Sequence, residues 1–93
     1  MFLVRLSANF PPDMDPDVKA DLIAREKAFG QEFQRSGKRP HLWRVVGPKM
    51  CNIGVWDVSI SELNETLNAL PMRPYIDVEV DILDEHPSVL KDA

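Results

Sequence analysis

Apolar and polar residues alternate from the first positions of the chain. In FLVRLSANF, Phe2, Val4, Leu6, Ala8 and Phe10 share one side, and Leu3, Arg5, Ser7 and Asn9 share the other. That period of two is the pattern of a half-buried strand. PPDMDP stops it and prepares a helix, with Asp15 as N-cap and Pro16 at the first helical position. The helix is predicted to run to about Arg35, with Gly37 as its C-terminal glycine signal. HLWRVV and CNIGVWDV then read as two strands of a hairpin, with Gly47-Pro48 as the turn signal between them. Ser59-Ile60-Ser61-Glu62 matches a capping box, and Ile60, Leu63, Leu67 and Leu70 keep helical spacing up to Pro71. YIDVEVDIL alternates again, placing Ile76, Val78, Val80 and Ile82 inward and Tyr75, Asp77, Glu79 and Asp81 outward.

The order βαββαβ predicts an α+β, ferredoxin-like domain: an antiparallel four-stranded sheet with both helices on one face. Even-numbered residues of the first and last strands supply the helix-facing side. Trp56, Tyr75 and Leu3 are expected among charges on the opposite side. So large a mixed surface is usually covered, so a homo-oligomer built through the open sheet face is expected. The tail, residues 85–93, has no period of its own and is expected to pack on a neighbouring subunit.

Composition narrows the classes. Ninety-three residues form a single domain, 1–93, and a chain this short buries only about two-thirds of its unfolded surface. At 44% hydrophobic and 28% charged it is an ordinary globular composition, without low-complexity linkers or internal repeats. A formal charge of −4 argues against a nucleic-acid partner, which would need a basic face. The third strand, CNIGVWDV, also lacks the basic, aromatic pattern of RNA-binding domains that share this element order. No apolar run approaches the roughly 20 residues of a membrane span, and the N-terminus, interrupted by Arg5, reads as mature sequence. Cys51, the single cysteine, excludes an intrachain disulfide and suits a cytoplasmic location. The two histidines, far apart, offer no metal-ligand spacing.

Within the first helix, Val18, Leu22, Phe29 and Phe33 form an apolar stripe that Ile23 widens. Glu26 falls inside that arc, Arg25 at its edge, and Lys27 points away. A carboxylate among apolar neighbours is costly unless it is paired or has chemical work. Desolvation raises its pKa, as a general acid/base near neutrality requires; an ion pair with an arginine at a helix–sheet or subunit boundary is the structural alternative. In KRPHLWRVVG, alternation puts His41 and Trp43 on one side of the strand and Arg44 on the other. Arg44 shares its side with Leu42 and Val46, so its guanidinium wants an anion: a substrate carboxylate or Glu26. His41 reads as a surface or interface histidine, and Trp43 as packing or substrate contact. Tyr75 follows the loop PMRP, where a phenol can reach a pocket or pack at an interface. Asp77, Glu79 and Asp81 read as a solvated strand face rather than metal ligands.

FLVR, PPDM, REKA, QRSGK, HLWR, ALP, PYIDVEV and HPS occur in this order, and with these spacings the chain resembles the muconolactone Δ-isomerase family from Met1 to about Ser88. The resemblance implies a ferredoxin-like fold, dimers assembled into a homodecamer, and a role in bacterial catechol catabolism by the 3-oxoadipate pathway. It implies no metal or organic cofactor and a small lactone substrate. The ring double bond of muconolactone would shift through a dienolate to give 3-oxoadipate enol-lactone, with Glu26 as the catalytic carboxylate. Arg44 would hold the carboxymethyl arm or polarise the carbonyl, His41 and Tyr75 would donate to the oxyanion, and Trp43 would contact substrate. The chain departs from the family pattern at Arg73 and Trp56. The close alternative is 5-chloromuconolactone dehalogenase, which starts with the same proton abstraction. Beyond this chemistry stand a dimeric α+β barrel enzyme and a non-catalytic interaction domain, which the fold alone would allow.

Overall fold

A computed structural model describes residues 1–48 and 51–90. The elements follow the order β1 (Phe2–Ala8), α1 (Pro16–Arg35), β2 (His41–Val45), β3 (Cys51–Trp56), α2 (Ile60–Ala69) and β4 (Ile76–Ile82), with a 3-10 turn at Arg73–Tyr75 before β4. The four strands form one antiparallel sheet in the order β2-β3-β1-β4. Leu22 of α1 and Leu63 and Leu67 of α2 join one core with Phe2 and Val4 of β1, so both helices lie on one side of the sheet, as a ferredoxin-like fold requires. The connection between β2 and β3 includes residues 49 and 50, outside the described residues, as are residues 91–93 of the tail.

Local chemistry sets the helix ends. Asp15 Oδ1 accepts from the N–H groups of Asp17 (2.8 Å) and Val18 (3.4 Å), satisfying two donors that the first turn leaves open. Gly37 sits at φ 78 just past the C-cap Ser36, the left-handed position that favours glycine. Ser59 accepts from Glu62 N–H, but the Glu62 carboxylate pairs with Lys38 instead of closing the capping box. That ion pair ties α2 to the segment entering β2.

Register decides which side chains share a face. Phe2 lies opposite Trp56 and Val4 opposite Gly54, while Leu42 and Arg44 of β2 lie opposite Gly54 and Asn52. Directly opposed residues project to the same side. The helix side therefore carries the even-numbered residues of all four strands, and Trp56 is a core residue at 1% exposure, not an open-face one. Its ring packs on Phe33 of α1 with centroids 4.8 Å apart. Both parities of CNIGVW contain apolar residues, so alternation alone leaves the parity of β3 open. Tyr75 also departs from the expected face: it belongs to the turn, partly buried against the core with Phe10 at 5.6 Å. Ile60 opens α2 but is exposed, and Val80 and Ile82, inward by alternation, are exposed as well.

Candidate active site

Beneath α1, on the β2–β3 half of the sheet, is a cavity of about 650 Å³. Phe29 and Phe33 of α1, Val4 and Leu6 of β1, and Trp56 give it apolar walls. Into these walls project Glu26, Arg39 and Arg44, brought together from a helix, a loop and a strand. Such a hollow, largely apolar with a few convergent charges, is the usual form of a small-molecule site.

Glu26 is half-buried, with one hydrogen bond to its carboxylate: Met72 N–H donates to Oε2 at 3.3 Å. Burial pushes its pKa above the ordinary carboxylate range, and the Met72 bond and the charge of Arg39 oppose that shift without cancelling it. The group is thus held nearer neutrality than a surface glutamate, poised to take and return a proton. Lys27, expected to point away, reaches the rim of the cavity.

Arg39 is the functional candidate that patterning does not reveal. It precedes Pro40, between α1 and β2, where no period applies. Its Nη2 donates to the carbonyl of Gly30 at 3.1 Å, and its guanidinium lies over the Phe33 ring, 5.9 Å from the centroid. Two glycines make its slot. A Cβ at Gly30 would stand 3.2 Å from Nη2, and one at Gly54 would stand 3.0 Å from Cδ and 2.9 Å from Trp56 Nε1. The signal available in the sequence was these glycines, one inside a helix and one inside a strand, where glycine is unfavourable unless something approaches closely. Burial lowers the Arg39 pKa, opposed by the charge of Glu26.

Arg44 is exposed at the cavity and makes no ion pair with any described residue. It also borders a smaller adjoining recess of about 260 Å³ beside Cys51 and Asn52. His41 and Trp43 lie on the opposite face of the sheet, stacked with centroids 5.2 Å and planes 5° apart. Within one chain, therefore, they do not join Glu26 and Arg44. Tyr75 is not among the cavity-lining residues and packs on Phe10 instead. Of the two departures from the family pattern, Trp56 lines the cavity, whereas Arg73 turns back to the Ile76 carbonyl at 3.3 Å. Among the described residues, no group of three or more His, Cys, Asp or Glu is arranged to hold a metal ion.

Comparison with known proteins agrees with this architecture. The sequence model of the family described as muconolactone delta-isomerase matches residues 1–89. The chain is 47% identical to the muconolactone Delta-isomerase of Rhodococcus opacus over 92 residues, covering 98% of both chains. It is 45% identical to that of Pseudomonas putida over 89 residues, covering 95% of this chain and 92% of the relative. A crystal structure of muconolactone isomerase superposes with a TM-score of 0.88 at 44% identity, covering 96% of this chain and 93% of that one. With sequence and backbone agreeing over almost its entire length, the chain belongs to the muconolactone Δ-isomerase family.

Proposed function

We propose that this protein is an isomerase that moves the ring double bond of muconolactone to give 3-oxoadipate enol-lactone, a step in bacterial catechol catabolism. The observation that carries the reading is the half-buried Glu26 facing an apolar cavity that Arg39 and Arg44 also line. The carboxylate of Glu26 removes the proton from the ring carbon that bears the carboxymethyl arm. The electron pair moves through the ring onto the lactone carbonyl oxygen, forming a dienolate. The resulting carboxylic acid then returns the proton two carbons away, and the carbonyl re-forms. One desolvated carboxylate serves both transfers, and Arg44, exposed and in no ion pair with the described residues, holds the carboxymethyl carboxylate. The family match and the named relatives support isomerisation over chloride elimination or a non-catalytic role.

His41, Trp43 and Tyr75 keep a role only in an assembly where a neighbouring chain brings them to the cavity. A homo-oligomer, on the family pattern a decamer built from dimers, is supported by exposed Trp43 and partly exposed Leu3, Ile53 and Val55 on the open face. Among the described residues no helix is long and apolar enough to cross a membrane, and the single cysteine suits the cytoplasm. The test supplies muconolactone and 5-chloromuconolactone in parallel while following ultraviolet absorbance and free chloride. Conversion of muconolactone without chloride is expected. Chloride release from the second substrate as the faster reaction would favour the dehalogenase, and turnover of neither would refute the reading.

A further inference from the structure

A single carboxylate moves the proton, but the charge that accumulates on the carbonyl oxygen needs a partner of its own. Arg39 is built for that position. Its side chain is fixed at three points: Nη2 on the Gly30 carbonyl, Cδ against Gly54 and the guanidinium plane over Phe33. Nε is buried with no hydrogen-bond partner among the described residues. Nη1 makes no hydrogen bond to the described residues, and the side chain that carries it lines the cavity. Gly30 is four residues beyond Glu26, on the same helix face and about 6 Å along the axis. The anchored guanidinium is therefore near the carboxylate that takes the proton, yet is not hydrogen-bonded to it.

We propose that Arg39 is a further catalytic residue, whose guanidinium donates to the lactone carbonyl oxygen and stabilises the negative charge formed there when Glu26 removes the ring proton. The proposal rests on the isomerase reading. The substrate separates the tasks of the two arginines. Its carboxymethyl arm and its carbonyl lie on opposite sides of the ring oxygen, so different cations must meet them. The permanently charged arm suits exposed Arg44 beside the adjoining recess. The carbonyl acquires its charge only during reaction, and a rigid, desolvated cation acts most strongly on charge that develops there. Gly30 and Gly54 then have a catalytic reason to lack side chains.

The test compares wild type, Arg39→Met and Arg44→Met on muconolactone across a pH series, with circular dichroism as a fold check. Arg39→Met is expected to lose on the order of 10²–10³-fold in kcat, as when an oxyanion donor is removed, with KM changed far less. The loss persists at high pH, and added guanidinium ion restores part of the rate. Arg44→Met shows its main effect in KM. A near-normal kcat in Arg39→Met, or an effect confined to KM, would overturn the assignment. So would a loss that disappears at high pH, because Arg39 would then act only through the acidity of Glu26. If Arg39→Met does not fold, Gly30→Ala keeps every charged group and crowds the guanidinium of Arg39 alone; it too is expected to lose kcat, and an unchanged kcat overturns the proposal. An inactive wild type refutes the isomerase reading itself, and this proposal with it.

Discussion

Glu26 receives too little hydrogen bonding to offset its burial, and two measurable consequences follow. Glu26→Gln keeps the shape of the side chain and the Met72 contact but removes the base, so turnover should fall on the order of 10²–10⁴-fold; an active variant would place the base elsewhere. The second consequence concerns stability. The folded-state pKa is raised, so the native protein binds more protons than the unfolded chain between the ordinary carboxylate value and the raised one. Stability from this group therefore falls as pH rises through that window, and the penalty persists above it. Glutamine carries no such penalty, so urea unfolding should show the variant gaining on wild type with rising pH. A wild-type advantage that grows with pH would contradict the sign. Glu26 was legible in the sequence because helix geometry alone puts a carboxylate inside an apolar arc. Arg39 was not, because it lies on a segment without period and its slot comes from residues far apart in sequence.

At the scale of elements, local signals and long-range ones differ in what they determine. The bounds of α1 were readable because its caps are made by neighbours in sequence: Asp15, Pro16 and Gly37. Asp15→Ala removes the acceptor for two N–H groups and is expected to cost about 1 kcal/mol of stability. A change near zero in chemical denaturation would mean that water satisfies those donors equally well. Strand parity, in contrast, depends on pairing. Trp56 joins the core because it lies opposite Phe2, a fact that CNIGVW does not contain. The same pairing puts Arg44 on the helix side and His41 and Trp43 on the open side. Val80 and Ile82 alternate correctly and lie on the helix side, yet both are exposed. Periodicity thus identified the strands but not which of their helix-side residues are covered.

The fold measures 52 × 29 × 20 Å, a long body for its small core, and two of its exposed apolar regions bear on assembly. One is the open sheet face around Trp43, which is 55% exposed. The other is the far end of β4 and the segment after it, where Ile82 is 78% and Leu90 79% exposed, with Leu83 and Val89 also open. Patches of this kind on so small a domain are characteristic of surfaces that associate. Trp43→Glu puts a charge on the first patch without touching the cavity side, and should reduce the assembly's mass in light scattering; an unchanged mass would exclude that face from the contact. The second patch belongs to the tail. Leu83 is tied to the sheet by its N–H bond to the Met1 carbonyl at 2.9 Å, whereas beyond it the tail carries local bonds, from Glu85 N–H to Asp84 Oδ1, Ser88 N–H to His86 Nδ1 and Val89 N–H to the His86 carbonyl. Without sheet pairing, the apolar side chains of this segment gain burial only against another surface. Truncation after Asp84 removes residues 85–93, Val89 and Leu90 with them, while leaving β4 intact. The shortened chain should therefore retain its fold by circular dichroism but form smaller assemblies. If the tail also roofs the cavity of a neighbour, turnover falls with assembly even though Glu26, Arg39 and Arg44 remain in place. Unchanged mass and unchanged rate together would show that the tail's apolar residues are not buried by a neighbouring subunit.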